Sequence, residues 1–380
     1  MWLVPALRFP EFTDEWKEVL FASNLERLEN GANYNTNDKD GVPMSRIETI
    51  STGRIDYTKV GHCSTPQKIE HYIMRYGDIL FSHINSLKHI GKTAYYSAEE
   101  PLYHGMNLLL FRCKNNVDSK FFFFLINNTH FIRKCQILAK QAVNQASIST
   151  SDLKKIKVYI PDINEQSKIQ KFLSLIEKRI ELQNKIIEDL KKLKSAISQI
   201  IFSNATLVKI QNLCEVIMGQ SPSSSSYNSN NDGLPLIQGN LDILGGVTIS
   251  RIYTNEPTKI SFQNDLILTV RAPVGIVAEN KMKVCIGRGV CALRNKSAIP
   301  TMYIYYALDY FSYKWKQIEQ GSTFTSINGD DIKNFTIPLV DAAEYSCAFL
   351  SKVDALIKCS IDLHSNYIKQ KQYLLLQLFI

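Results

Sequence analysis

The chain has 380 residues, of which 45% are hydrophobic and 21% are charged, and its formal net charge is +8. This length allows two or three hydrophobic cores, and the composition excludes a disordered or fibrous protein. The mild basic excess permits nucleic acid as a partner but does not by itself indicate one.

Cysteine usage and hydropathy bear on the compartment. The eight cysteines form no Cys-x-x-Cys pair and lie in apolar sequence, which predicts buried, reduced thiols and a cytoplasmic protein. No signal peptide is recognisable at the start, and the longest apolar runs, 121–126 and 373–380, are too short to span a membrane. We therefore expect no membrane association.

The first half is predicted to form short strands followed by a helix. Residues 121–138 are apolar on one face, which predicts a single helix, and a polar loop at 141–150 then precedes a strand ending at Pro161. Strand-like runs of β-branched or aromatic residues, separated by Gly, Asn and Pro, occur at 44–50, 53–57, 79–84, 93–96 and 108–112.

A heptad pattern from Ile169 to Ile201 predicts a long coiled-coil helix in mid-chain. Its seam residues step by four and three positions, with polar residues elsewhere. Asp162 or Asn164 is the expected N-cap. A lone helix of about 40 residues is ~60 Å long and cannot bury its own apolar stripe, so this helix needs a partner.

The C-terminal region repeats the same heptad pattern from Leu350 to Leu378. This predicts that the two helices pair with each other, antiparallel, within one chain. Polar residues interrupt both seams, and Gln183 matches Ser360 as Lys194 matches Lys371, whereas His364 makes the second seam less regular. We expect these residues to set the register or to dock a partner: Gln183, Lys194, Ser360, His364 and Lys371.

The second half also repeats the order of segments of the first half. Asp78 aligns with Asp265, Arg112 aligns with Arg294, and a Ser-Ile-Ser or Ser-Ile-Asn segment precedes each long helix. A repeat of roughly 180–190 residues exceeds solenoid size, so each copy is a whole domain followed by one helix.

The predicted fold class is therefore α+β. Two repeated α/β domains are joined by two long antiparallel coiled-coil helices, with pseudo-two-fold symmetry within the chain. The expected boundaries are 1–160 for the first domain, 161–203 for the central helix, 204–338 for the second domain and 339–380 for the C-terminal helix.

No motif indicates catalysis. Gly91-Lys92-Thr93 lacks the preceding glycine of a phosphate-binding loop and is better interpreted as a hairpin. Asp162 and Asp189 lie too far apart on one helix to bind the same metal ion. We expect no catalytic and no metal-binding residues; a stand-alone metal-dependent nuclease is the least favoured alternative.

Polar loops that recur in both halves are the candidate binding surfaces. Their Asn, Gln, Ser, Thr, Arg, Lys and His side chains are those that contact base edges or phosphates, although such loops also occur as simple turns. The candidate DNA-binding residues of the first half are Asn33, Asn35, Asn37, Ser82, His83, Asn85, Lys88, His89, Asn144 and Gln145. Those of the second half are Ser223, Ser225, Asn228, Thr269, Arg271, Arg288, Ser322, Thr323 and Thr325.

With these features the chain resembles the specificity subunit of type I restriction-modification systems over nearly its whole length. The resemblance rests on the opening LRFPEFTDEW, the strand after Gly77, the segments before each helix, and the endings of both heptad helices. It implies two target-recognition domains, each reading one half of a split DNA site, and two helices that form a spacer.

The resemblance also implies partners and cofactors. Two modification subunits dock around the helices and methylate adenine with S-adenosylmethionine, and restriction subunits translocate DNA with ATP and Mg²⁺. The specificity subunit binds double-stranded DNA but no cofactor of its own and is not catalytic. The main alternative is a coiled-coil interaction protein without DNA specificity.

Overall fold

The computed structural model describes residues 4–33, 40–64, 69–142, 145–318 and 326–380. They form two compact units. Unit 1 contains the described residues of Met1–Gln183 together with Leu363–Ile380, and unit 2 contains those of Asn184–Asp362.

Unit 1 contains short strands, as the clustered β-branched and aromatic residues predicted. In chain order they are β1 (Lys17–Leu20), β2 (Leu25–Asn30), β3 (Val42–Met44), β4 (Gly61–Cys63), β5 (Ile79–Phe81), β6 (Ile84–Asn85), β7 (Thr93–Tyr95), β8 (Leu109–Cys113), β9 (Lys140–Ala142), β10 (Gln145–Ser147) and β11 (Lys157–Ile160).

Unit 2 has a similar series of strands. They are β12 (Thr206–Lys209), β13 (Cys214–Met218), β14 (Tyr227–Asn228), β15 (Leu234–Ile237), β16 (Ile243–Leu244), β17 (Val247–Thr248), β18 (Tyr253–Thr254), β19 (Ile260–Ser261), β20 (Leu266–Thr269), β21 (Val277–Glu279), β22 (Val284–Ile286), β23 (Val290–Asn295) and β24 (Thr336–Leu339).

Short helices pack on the sheets, and one much longer helix follows each domain. The helices are α1 (Ser119–Ile126), α2 (Thr129–Leu138), α3 (Thr150–Lys155), α4 (Ile163–Phe202), α5 (Ile210–Leu213), α6 (Thr301–Tyr310), α7 (Gly329–Asn334) and α8 (Ala343–Gln377).

Each unit is built around an equivalent antiparallel sheet. Its strand order is β2-β8-β5-β7 in unit 1, and β13-β23-β20-β21 forms the same arrangement in unit 2, where β17 and β16 extend it. In both sheets an arginine on one strand binds the aspartate that lies directly before the neighbouring strand. Arg112 donates two hydrogen bonds of 2.7 Å to Asp78, and Arg294 contacts Asp265 at 3.1 and 3.2 Å. The structure thus confirms the alignment of the two halves.

The ends of each domain also repeat. β1 pairs antiparallel with β11, and β12 pairs antiparallel with β24, so the first and last strands of each domain close beside each other. This pairing places each long helix directly after a strand that is fixed to the start of its own domain.

The heptad seams face inward, as predicted. Ile169, Leu173 and Ile176 of α4 belong to the core of unit 1 together with Leu374 and Leu378 of α8. In unit 2, the end of α4 packs in one core with the start of α8. The first part of α4 therefore packs in unit 1 with the last part of α8, and the last part of α4 packs in unit 2 with the first part of α8. This is the pairing expected of antiparallel helices.

The start of α4 settles the choice of N-cap. The Asp162 carboxylate accepts a hydrogen bond of 2.7 Å from the Asn164 N–H, so Asp162 is the cap and Asn164 lies within the first turn.

Three local predictions were wrong. The expected single helix at 121–138 is two helices, because Asn128 caps α2 by accepting a hydrogen bond from the Phe131 N–H at 2.8 Å. The expected strands at 44–50 and 53–57 are mostly turns: Thr49 accepts a hydrogen bond from the Arg46 N–H and donates one to the Lys59 carbonyl, both at 2.9 Å. These side-chain bonds replace a strand ladder.

Six of the eight cysteines are buried as predicted, and Cys113 is half-buried. Burial raises the pKa of Cys135, Cys214 and Cys291 to about 12, which keeps these thiols protonated and unreactive. Cys359 is exposed, because it lies on α8 outside the buried seam.

Candidate nucleic-acid interface

Two of the polar segments predicted in the first half meet in a small sheet. β10 pairs with β6, so that Ala146 faces Asn85 and Ser147 faces Ile84, and β9 pairs with the other side of β10. This pairing brings several predicted residues together. We call them the first loop cluster, which consists of Ser82, His83, Asn85, Lys88, His89 and Gln145.

Exposure divides the first loop cluster into two groups. Lys88 and Gln145 are exposed and Asn85 and His89 are half-buried, so these side chains are open to a ligand. Ser82 and His83 are buried, and burial lowers the pKa of His83 to about 4.

The buried pair shapes the loop. The Asn85 side-chain amide donates to the Ser82 hydroxyl at 3.3 Å, which holds Asn85 across the turn. His83 is neutral at physiological pH, because its pKa lies well below that range. This burial argues against direct base contacts by Ser82 and His83 and in favour of the four accessible residues.

The other predicted residues of the first half lie elsewhere. Asn33 is exposed and follows Ala32, whose carbonyl accepts a hydrogen bond of 2.9 Å from the Met106 N–H. It therefore lies beside the turn before β8 and not in the β6–β10 pairing. Asn35, Asn37 and Asn144 lie outside the described residues.

A second set of predicted residues gathers beside β23 in unit 2. The Arg288 N–H donates a hydrogen bond of 3.1 Å to the Ser221 hydroxyl, which ties the turn before β23 to the serine-rich loop. The structure thereby brings together segments that are far apart in sequence. We call the predicted residues of these segments, together with Thr269 and Arg271, the second loop cluster: Ser223, Ser225, Asn228, Thr269, Arg271 and Arg288.

The serine-rich loop leaves some of its predicted side chains accessible. Ser223 and Ser225 are exposed, and their hydroxyls lie 2.7 Å apart. The side-chain Oδ1 of Asn228 instead accepts hydrogen bonds of 3.1 Å from the backbone N–H groups of Asn230 and Asp232. Asn228 therefore shapes its own loop.

Thr269 is also structural. It is fully buried, its hydroxyl donates to the Pro273 carbonyl at 2.7 Å, and it accepts from the Ile276 N–H at 2.9 Å. The next predicted residue, Arg271, is exposed, and its backbone bridges to Ser326. Ser322, Thr323 and Thr325 lie outside the described residues.

Part of each loop cluster, at Ser82–His83 in unit 1 and at Thr269–Val270 in unit 2, occupies an equivalent position in its unit. In unit 1 the Ile148 N–H donates to the His83 carbonyl at 3.0 Å, and in unit 2 the Ile327 N–H donates to the Val270 carbonyl at 3.0 Å. Each cluster thus lies where the strand leaving the central sheet meets the segment before a short helix. One framework carries two different sets of side chains.

The predicted seam residues Lys371 and Lys194 form repeated ion pairs between the long helices. In unit 1, Lys371 of α8 donates to Glu177 of α4 at 2.7 Å. In unit 2, Lys194 of α4 lies 2.8 Å from Asp354 of α8. The same pair therefore occurs twice, with the helices exchanged.

Each pair also contacts a helix of its domain. Lys120 of α1 joins Glu177 at 3.0 Å, and the Lys371 Nζ lies 5.7 Å from the centre of the Phe124 ring. In unit 2 the Lys194 Nζ lies 5.1 Å from the centre of the Tyr306 ring of α6. These contacts fix each domain to the helix pair.

The remaining seam residues are less exposed than ordinary polar helix residues. Gln183 is buried, and Ser360 and His364 are half-buried, so all three lie on the inward side of their helices. Their burial agrees with a role in helix register, which stays a prediction.

The described residues contain no group of three or more His, Cys, Asp or Glu side chains arranged to hold a metal ion. In the same part of the chain, no helix has the length and apolar composition to cross a membrane. The Lys92 ammonium group donates to the Ser51 carbonyl at 2.8 Å, an arrangement of a hairpin lysine rather than of a phosphate-binding loop.

Comparison with known proteins decides the family. The model of the type I restriction modification DNA specificity domain matches this chain twice, at residues 18–192 and 203–371. The chain belongs to this family. It is 36% identical over 379 residues to the putative type I restriction enzyme MjaX specificity subunit of Methanocaldococcus jannaschii, an alignment covering 92% of this chain and 89% of that one.

Solved structures agree with the fold. The specificity subunit of a type I restriction-modification system from M. genitalium is 16% identical, covers 99% of both chains and has a TM-score of 0.62. A structure from work on complex assembly and conformational transition of the type I R-M system has 20% identity and a TM-score of 0.63, covering 95% of this chain and 96% of that one. The chain is thus a DNA-specificity subunit and not a catalytic one.

Sequence reasoning missed two acidic residues of this specificity subunit. Glu177 and Asp354 occupy the same position of the heptad repeat in α4 and α8, as do Lys194 and Lys371. The recurrence of an acid ahead of each seam lysine was the available signal.

Proposed function

We propose that the first loop cluster and the second loop cluster read the two halves of a bipartite DNA site, and that α4 and α8 set the distance between these halves. The observation that carries the proposal is the repeated framework with divergent loops. Two equivalent sheets, each fixed by an Arg–Asp pair, present different polar side chains at the same position. Two readers of one fold would then recognise different sequences.

The modification subunits are proposed to dock on the long helices. Beyond its buried seam, α4 carries a second set of apolar residues at steps of seven and eleven positions, in which Leu175, Leu182, Leu193 and Ile200 are 50–76% exposed. The start of α8 exposes Tyr345, which is 83% accessible. Exposed large apolar residues in a regular stripe are typical of helical interfaces.

The chemistry of the complex is assigned to other chains. S-adenosylmethionine, ATP and Mg²⁺ are proposed to bind the modification and restriction subunits, and the assembly is proposed to act in the cytoplasm. The interaction-protein alternative requires helices but no loop divergence, so the second loop cluster with its exposed arginines favours DNA recognition.

The decisive experiment is methylome mapping after co-expression with the modification subunit of the same system. We expect methylated adenines in one bipartite, asymmetric sequence. Exchanging residues 1–155 for those of a relative should then change one half-site only. Absence of any sequence-specific methylation or DNA binding would overturn the proposal, and a change in both half-sites would refute the assignment of one domain to one half.

A further inference from the structure

Two exposed arginines flank the last bonded residue pair at the end of the central sheet of unit 2. β20 and β23 pair so that Thr269 faces Val290, and the Val270 N–H donates to the Gly289 carbonyl at 2.9 Å. Arg271 follows Val270, and Arg288 precedes Gly289 in the turn that the Val290 N–H closes on the Gly287 carbonyl at 3.2 Å, so the two arginines flank this bonded pair at one end of the sheet.

Among the described residues of the chain, no side chain or backbone group forms a hydrogen bond or an ion pair with the guanidinium group of Arg271 or of Arg288. Both backbones are nevertheless held, because Arg288 donates from its N–H to Ser221 and Arg271 bridges to Ser326. Like charges held near each other repel. Two arginines with fixed backbones, which form no ion pair with any described residue, are therefore arranged to meet an external acceptor.

The equivalent positions in unit 1 are apolar. β5 and β8 pair in the same register, with Phe81 facing Leu109, so that Ile84 and Met106 occupy the places of Arg271 and Arg288. Met106 is 41% exposed and Ile84 is half-buried. The backbone framework is the same in both units, but the side chains at these two positions are cationic in unit 2 and apolar in unit 1.

This difference separates base reading from phosphate binding. Phosphate contacts position a protein on DNA and carry no sequence information directly, whereas contacts to base edges do. A position that is cationic in one domain and apolar in the other therefore serves a purpose in which the domains differ. Arginine donates two hydrogen bonds to O6 and N7 of guanine in the major groove, whereas apolar side chains contact the thymine methyl group.

We propose that Arg271 and Arg288 read guanine in the half-site of the second recognition domain, and that Ile84 and Met106 make the corresponding position of the first domain one that does not select guanine. This inference rests on the proposed function. It assigns the specificity of this part of the second loop cluster to the major-groove edge of a G·C pair.

The test uses the full chain with its modification subunits on duplex DNA carrying the mapped site. Each guanine of the second half-site is replaced in turn by 7-deazaguanine, which removes the N7 acceptor and keeps base pairing. We expect one substitution to weaken binding of the natural complex by roughly five- to 150-fold. The same substitution should have little effect on Arg288→Ala or Arg271→Ala, which have already lost the contact.

Further variants make the result specific. Arg288→Lys should retain phosphate attraction and lose part of the guanine preference, because a lysine lacks the planar fork of arginine. Arg133→Ala, which removes an exposed arginine from α2, is the matched control and should leave base preference unchanged in both half-sites.

Two results would overturn the inference. One is a uniform loss of affinity for all sequences in the Arg271 and Arg288 variants, which would identify phosphate contacts. The other is unchanged discrimination at every guanine. In both cases the natural complex would still recognise its site, so the proposed function would stand; a natural complex without sequence preference would instead refute that function.

Discussion

The Lys371 Nζ of α8 donates a hydrogen bond of 2.7 Å to the Glu177 carboxylate of α4 in a partly buried position. The substitution Lys371→Met removes one of the two cations that contact the partly buried Glu177 carboxylate. We expect a loss of about 1–3 kcal/mol in the free energy of unfolding, because hydrogen bonds to charged groups contribute this much. Urea unfolding measures the change.

The matched control is the exposed pair Lys192–Asp189 on α4, whose atoms lie 3.8 Å apart. Lys192→Met should cost less than about 0.5 kcal/mol, because surface pairs contribute little. Equal effects of the two substitutions would show that the pair between helices has no special weight.

The same cluster predicts a pH dependence. Burial opposes ionisation of the Glu177 carboxyl, but the charges of Lys371 and Lys120 outweigh it and hold its pKa below the ordinary 4.5. A lowered pKa in the folded state gives stability that is present above the unfolded value and is lost as the pH falls through the folded one. The stability difference between the natural chain and Glu177→Gln should therefore shrink as the pH is lowered from about 6 to about 3. A difference that stays constant over this range would contradict the assignment.

The buried pair Arg112–Asp78 should matter more than its repeat. Asp78 is 1% exposed, so Asp78→Asn leaves the Arg112 charge without a counterion inside the sheet and should cost about 3–5 kcal/mol. Asp265→Asn is the matched variant, and it should cost less because Arg294 is more exposed and its bonds are longer. Amide hydrogen exchange measures the loss of protection in β5 and β8 for Asp78→Asn and in β20 and β23 for Asp265→Asn. A larger loss of protection in β20 and β23 would contradict the expected order.

The exposed stripe of α4 predicts the docking of partner subunits. Leu175→Glu combined with Leu182→Glu places two charges on this stripe and should weaken binding of the modification subunit by tenfold or more, on the order of a hot-spot loss. Leu241→Glu changes a leucine of similar exposure outside the helices and serves as the control. Co-purification and titration calorimetry measure the binding, and equal affinities for all three proteins would exclude this stripe as the docking surface.

The length of the helices predicts the gap between half-sites. Inserting one heptad after Asn184 in α4 and one before Leu363 in α8 adds ~10 Å and keeps the seam in phase. The methylated site should retain both half-sites, with a gap longer by about three base pairs at ~3.4 Å per base pair. Inserting four residues near Asn184 alone shifts the seam out of phase and should lengthen the gap or impair assembly. Methylation at the original spacing would contradict the role of the helices as a spacer.

Repetition made much of the fold predictable. The heptads of α4 and α8, and the alignment of Asp78 with Asp265, depend on patterns that appear twice in the chain. What failed depended on single side chains. Thr49 turned an expected strand into a turn, and Asn128 divided an expected helix, because one hydrogen bond to the backbone decides such places.

The candidate interface was predictable in outline only. Polar composition located the loops, but it did not distinguish Thr269, which holds its loop from inside, from Arg271, which is exposed two residues later. That distinction depends on alternation along a strand and on the partner strand, and neither can be read from composition.

The two ion pairs between the long helices also share one arrangement of charges. Each helix carries an acid followed by a lysine at the same spacing, Glu177 and Lys194 in α4, Asp354 and Lys371 in α8. Either helix would form both pairs with an antiparallel second copy of itself. The acid and the lysine of one helix therefore match those of the other, as in two copies of one helix packed antiparallel.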